Sequence, residues 1–357
     1  MTLFVVSVGL VAVLVLAWRA PGSTAPIVDD RGKPVPGSIA VLEKVILGGV
    51  EQSLLIRGVS VANPVLLFLH GGPGTSEMGL LRVHNVAALE RRFTVVVWDQ
   101  RGAGMSFAGR LPESGMTVEQ LVSDAVELSR LLCRRFDMER IYLAGHSWGS
   151  ALGILTVKGH PELFHAFVGI GQVVNMLEGE RISWDWTLAQ AERAGDAKSV
   201  AKLRRIGRPP YDGDLRSKVV TQRTILARYG GEVHGNPRGG LLVTLRCLLA
   251  TREYGWRDRV NFFRGIFESM RLLWPQILGI DLERQAPELA VPVWFLEGRH
   301  DREVPSELAE RYCEALIAPR KELVWFESSA HFVNTEEAGA FNAFFVDRLL
   351  EETRRAA

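Results

Sequence analysis

The pentapeptide Gly145-His146-Ser147-Trp148-Gly149 constrains this 357-residue chain more than any other stretch. It follows a short apolar run, Arg140-Ile141-Tyr142-Leu143-Ala144, that reads as a strand. It precedes Ser150-Ala151-Leu152-Gly153-Ile154-Leu155-Thr156-Val157, small and apolar, that reads as a packed helix. A G-x-S-x-G pentapeptide between strand and helix forms a sharp turn that lifts a serine hydroxyl out of the sheet. Gly145 and Gly149 leave room where a Cβ would clash. Ser147 is therefore the candidate nucleophile, and the helix start behind it offers unpaired N–H groups and a positive dipole end.

The flanking chain reads as one sheet with helices on both faces. Ile39 to Leu47 and Ser53 to Val59 form a hairpin around Gly48-Gly49. Val65 to Leu69 and Phe93 to Trp98 are continuous apolar runs, the signature of strands buried on both sides. Thr117 to Phe136 carries helical spacing through Val118, Leu121, Val122, Ala125, Leu128, Leu131 and Leu132, and Thr117 with Gln120 suggests a capping box. Ala166 to Ile170 is a further strand. From Gln172 to Pro287 strand-like runs disappear, and helical patterns rich in Trp, Tyr and Arg take over. Strands resume at Val293 to Glu297 and Glu322 to Phe326, with helices over 305–317 and 336–350. Strands alternating with helices predict an α/β fold with a doubly wound, mostly parallel sheet and a helical cap insertion. The domain plan is an apolar segment over 1–20, a linker over 21–38, core over 39–171, cap over 172–287 and core again over 288–357.

In such sheets functional groups gather at the carboxyl ends of strands. Ser147, Asp301 and His331 each follow a predicted strand, in the order Ser, Asp, His. That order suits a triad in which Ser147 attacks a carbonyl, His331 moves the proton, and Asp301 holds the histidine tautomer. The backbone N–H groups of Trp148 and Gly71, the latter in the loop His70-Gly71-Gly72-Pro73-Gly74, are the candidate oxyanion donors. His70 reads as a loop-fixing residue, His146 as packing behind the elbow, and Asp99-Gln100-Arg101 as a wall of the site.

Composition closes off other classes. The net charge is +1, which gives no reason to expect nucleic acid. Cys133, Cys247 and Cys313 lack metal or redox spacing and read as inert thiols. No phosphate loop, dinucleotide fingerprint or metal cluster is present in the sequence, so no cofactor and no metal are expected. Residues Thr2 to Trp18 are almost wholly apolar, near the lower limit of the roughly 17 to 25 residues that span a bilayer. They predict a single N-terminal membrane anchor with a cytoplasmic enzyme domain, because Arg19, Arg31 and Lys33 all follow the run. A secreted protein with a cleaved signal is the alternative.

Taken together, His70-Gly71-Gly72-Pro73-Gly74, Asp99-Gln100-Arg101-Gly102-Ala103-Gly104-Met105-Ser106 and Gly145-His146-Ser147-Trp148-Gly149-Ser150 resemble the proline iminopeptidase (prolyl aminopeptidase) family of α/β hydrolases. The resemblance covers Ile39 to Gly171 and Pro292 to Leu350. It implies an α/β-hydrolase fold, a serine acyl-enzyme, and release of an N-terminal proline or similar residue from short peptides. In that family cap carboxylates hold the substrate's free amine. The cap here offers Glu178, Glu180, Asp185, Glu192, Asp212, Asp214 and Glu232. Gly72, Glu178, Trp184 and Tyr211 are the candidate substrate contacts. A carboxylesterase, lactonase or amidase acting on a lipophilic small molecule is the alternative activity, suggested by the apolar N-terminus and the aromatic cap. A non-enzymatic binding protein on the same fold is a third reading, against which all three triad residues stand.

Overall fold

Apolar runs too short for helices and too continuous for a one-sided sheet have to sit at its centre. They do so in the computed structural model, which describes residues 18, 20–109, 111–236 and 239–355. Strands β3 (Val65–Leu69), β4 (Thr94–Asp99) and β5 (Ile141–His146) are buried along their whole length. Strands β1 (Ile39–Leu47) and β2 (Val50–Gly58) form an antiparallel hairpin at one edge, and β2 pairs antiparallel with β4. All pairings from β4 onward, through β6 (Phe164–Ile170), β7 (Val293–Gly298) and β8 (Lys321–Phe326), are parallel. Among the described residues the sheet has eight strands, in the order β1-β2-β4-β3-β5-β6-β7-β8.

Alternate strand residues feed two cores. Leu67, Leu69, Leu143 and Phe295 face one layer; Leu66, Phe68, Ala144 and Trp294 face the other. Helix α1 (Met78–His84) contributes Met78 and Leu81 to the second layer. Helices α2 (Val118–Phe136) and α3 (Trp148–Gly159) cover the first, with Leu121, Ala125, Leu128 and Leu132 of α2 on the buried side. Each large apolar side chain among them contributes about 1.5–3 kcal/mol on burial. Thr117 caps α2 by accepting the Gln120 N–H; the reciprocal bond of the expected box is not made among the described residues, and the Gln120 amide N–H donates to Asp124.

Between β6 and β7 the chain is helical: α4 (Met176–Arg193), α5 (Ala197–Ile206), α6 (Leu215–Arg228), α7 (Gly239–Ala250) and α8 (Trp256–Ile277). Trp184, Ala191, Leu203, Ile206 and Ile225 make a small core of their own. Leu273, Trp274 and Ile277 of α8 join the core under the sheet, so this layer is docked over the strand ends. After β7, α9 (Ser306–Ala315) returns to the sheet.

Three expectations change at the termini. The membrane anchor and its localisation are corrected: among the described residues no helix is long and apolar enough to cross a membrane. Residues 1–17 of the apolar run lie outside the described residues. The stretch read as a linker is tied to the domain, since Ser23 N donates to Arg252 O, Arg57 donates to Thr24 and Ala25, and Ile27 is buried. At the other end, the single helix expected over 336–350 is broken into Val333–Glu336, Ala338–Ala343 and a π-helical turn, Phe344–Leu349. Glu336 and Glu337 are engaged in the preceding loop. Glu336 accepts the N–H groups of Ala330 and Phe332, and Glu337 accepts the Ser328 N–H and the Ser329 hydroxyl.

Candidate active site

Ser147 stands between β5 and α3 with φ +54° and ψ −123°, a combination that residues with a Cβ avoid. The turn is held by the Ser147 N–H bonded to Ile170 O on β6 at 2.8 Å. The flanking glycines are obligatory. A Cβ on Gly145 would lie 2.2 Å from Gly149 O, and one on Gly149 would lie 2.2 Å from Leu69 O. Ser147 remains partly exposed while its neighbours on both sides are buried.

The loops after β7 and β8 bring Asp301 and His331 together. Both are buried, and His331 Nδ1 lies 2.7 Å from Asp301 Oδ2. The other carboxylate oxygen of Asp301 accepts the N–H groups of Glu303 and Val304, each at 2.9 Å. Asp301 therefore serves as an acceptor on both oxygens, and His331 Nδ1 carries a proton. Burial alone would lower the His331 pKa, but the Asp301, Glu303 and Glu232 carboxylates overcome it and hold the imidazole above its ordinary value. The Ser147 hydroxyl has no hydrogen-bond partner among the described residues, so no Ser147–His331 hydrogen bond completes the relay. Such contacts tighten when a substrate is bound.

One oxyanion expectation is corrected. The Gly71 N–H, expected to face the substrate, donates instead to Glu77 Oε1 at 2.9 Å. The N–H groups of Trp148 and Gly72 carry no hydrogen bond among the described residues, and both residues line the cavity in front of Ser147. His70 fixes this loop. Its Nε2 accepts the Gln100 N–H, its Nδ1 donates to Gly71 O, and burial lowers its pKa to about 4. Gln100 in turn accepts the Trp148 indole N–H. Asp99 and Arg101 point away from the cavity. Asp99 binds Tyr254 and Ser76, and burial pushes it up to about 6, while Arg101 pairs with Asp124.

The cavity measures about 140 Å³ and is mostly apolar, with walls from Val173, Val174, Val219, Met270, Ile277 and Leu308. Three charged side chains interrupt it: Glu180 on α4, Arg223 on α6 and Glu303 after β7. Arg223 bonds Glu180 and, at 3.2 Å, Glu303. Burial raises the Glu180 pKa. Glu303 is held below the usual carboxylate range, because His331 and Arg223 outweigh its burial. Glu232 stands nearby, pushed up to about 7 by burial and by the Glu303 charge, and its carbonyl accepts the His331 N–H.

Of the expected substrate contacts only Gly72 lines the cavity, and the other three are corrected. Glu178 forms a surface pair with Arg311, because its side chain leaves α4 on the outer face. Trp184 is buried in the small helical core, and Tyr211 packs against that core. Sequence reading passes over Arg223 and Glu303, and Glu180 is only one of seven cap carboxylates it offers.

A family model described as alpha/beta hydrolase fold matches residues 64–208. A protein named probable aminopeptidase YbaC, from Bacillus subtilis (strain 168), is 36% identical over 310 residues, covering 86% of this chain and 96% of the relative. A probable proline iminopeptidase of Leptolyngbya boryana is 34% identical over 301 residues, covering 78% of this chain and 84% of the relative. Among solved structures, a proline iminopeptidase-related protein of Thermus thermophilus superposes with a TM-score of 0.61 at 20% identity, covering 87% of this chain and 98% of that one, a likeness of fold.

Proposed function

The chain belongs to the α/β hydrolases and, among them, to the proline iminopeptidase-like enzymes, and from that membership we propose that it is a serine aminopeptidase releasing a small N-terminal residue, proline or similar, from short peptides. The observation that carries this reading is the Glu180–Arg223–Glu303 cluster in an otherwise apolar cavity beside Ser147. Two carboxylates facing one guanidinium leave negative charge unmatched when both are ionised, and a buried ammonium needs such a partner. The apolar walls suit a compact aliphatic ring or side chain, and the cavity's size argues against a long acyl chain.

In this mechanism Ser147 Oγ attacks the scissile carbonyl carbon while His331 Nε2 takes its proton. Asp301 holds the Nδ1–H and stabilises the imidazolium. The N–H groups of Trp148 and Gly72 receive the oxyanion. His331 then passes the proton to the departing amine, the C–N bond breaks, and an acyl-enzyme remains on Ser147. Water, deprotonated by the same histidine, releases the acid and regenerates the hydroxyl.

The test is a rate comparison on a prolyl arylamide, its N-acylated analogue and a short-chain aryl ester. Turnover of the free-amine amide, with the blocked analogue at least about a hundredfold slower, is the expected outcome, since it reports loss of a buried charge pair. Cleavage of the ester alone would overturn the aminopeptidase reading. Ser147→Ala should remove turnover of every substrate by about four orders of magnitude or more while leaving the melting temperature in place.

A further inference from the structure

A second pair of ionisable groups lies directly behind Ser147, and the triad does not use it. The side chains of Glu77 and His146 are each 4% exposed. Glu77 Oε1 accepts the Gly71 N–H at 2.9 Å and lies 2.6 Å from His146 Nδ1. His146 Nε2 lies 3.0 Å from the carbonyl oxygen of His331. A carbonyl oxygen can only accept, so Nε2 carries a proton. Glu77 is held below the usual carboxylate range, because His146 and the Gly71 N–H outweigh its burial. Both ring nitrogens of His146 are thus engaged, Nδ1 by Glu77 and Nε2 by the His331 carbonyl. The pair touches three loops at once: the glycine loop after β3, the elbow itself, and the loop carrying His331.

We propose that Glu77 and His146 are positioning residues that set the oxyanion loop and the His331 loop in register with Ser147, and that by claiming the Gly71 N–H they leave the second oxyanion donor to Gly72. The His146 and His331 rings are 4.6 Å apart between centroids. The charged groups around His331 are the Asp301, Glu303 and Glu232 carboxylates, with Arg223 paired to Glu303.

The inference rests on Ser147 and His331 acting as nucleophile and base, so the experiment separates the two ideas. The full chain is assayed with a short-chain aryl ester across pH, and the rate of labelling by a fluorophosphonate is measured with the labelled peptide identified. Absence of label on Ser147 in the unsubstituted enzyme removes the nucleophile and the positioning role together. With Ser147 labelled, Glu77→Gln and His146→Gln are compared. Glu77→Gln is nearly isosteric and keeps the fold if His146→Gln does not. In each variant kcat is expected to fall about tenfold to a hundredfold with KM little changed, as for small misplacement of reacting groups. Unchanged kcat, with only the melting temperature lowered, would overturn the proposal, because a purely structural pair would do that.

Discussion

Ser147 is held at φ +54° by neighbours that cannot yield, and such backbone costs about 1–3 kcal/mol. Gly149 is the least replaceable of those neighbours, because its missing Cβ is what lets α3 approach Leu69 O. Gly149→Ala should destabilise the protein by about 3 kcal/mol, the upper range for forced overpacking. Chemical denaturation measures that loss, and activity should fall further than stability because the elbow moves with the helix. Glu303 allows a sharper test of electrostatics. Its carboxylate raises the His331 pKa, so neutralising it lets the imidazole deprotonate more readily. Glu303→Gln should therefore extend activity on a neutral ester to lower pH, shifting the acid limb downward. An acid limb that stays in place would show that Glu303 is too well matched by Arg223 to act on His331.

The helices over the strand ends supply what a lone elbow lacks, and Arg223 on α6 links them to the core. It bonds Glu180 on α4 and Glu303 beyond β7. Arg223→Met leaves two carboxylates in an apolar cavity without their cation. A loss of about 3 kcal/mol is expected, typical of breaking a buried pair. The loss should be smaller at pH 5 than at pH 8: an unpaired buried carboxylate has a raised folded pKa, so its penalty grows as pH rises. Urea denaturation at both pH values measures the difference. These contacts also show what a sequence can and cannot reveal. The strands, the elbow and the order of Ser147, Asp301 and His331 are local features, written in apolar runs and turn residues. The meeting of Arg223 with Glu303 is not local. It depends on how an all-helical segment docks on the sheet, and Arg223 in α6 looks like any exposed cation of a helix. The same limit explains Gly71. The glycine loop was legible, but the engagement of its N–H by Glu77 depends on how the chain folds back after Pro73. Helical periodicity near the C-terminus was legible as well, whereas the use of Glu336 and Glu337 to brace the His331 loop was not.

At the scale of the whole molecule, acidic groups are concentrated under the strand ends, and stability should depend on pH for that reason. Glu297, at the end of β7, is the clearest case. It is fully buried, accepts the Gln172 N–H at 2.8 Å through one oxygen, and has no partner for the other among the described residues. Burial is the main reason its pKa lies well above 4.5, and the nearby Asp301 charge adds to it. The folded protein thus carries a protonated carboxyl where the unfolded chain ionises. A folded pKa above the unfolded one stabilises fully at pH values below the unfolded value, and that contribution is lost as pH rises toward the folded value. Each unit traversed removes up to about 1.4 kcal/mol. The melting temperature should therefore decline as pH rises from about 4.5 through neutrality, apart from opposing contributions of paired carboxylates such as Glu77 and Glu303, which strengthen over the lower part of that range. Glu297→Gln isolates the effect, since an amide mimics the protonated acid and cannot ionise. The difference in stability between variant and parent should grow steadily in the variant's favour as pH rises, measured by calorimetry across roughly pH 5 to 9. A constant difference would mean that Glu297 keeps its charge in the folded protein, matched by His331 nearby, and that the sheet's carboxyl edge tolerates two buried anions side by side.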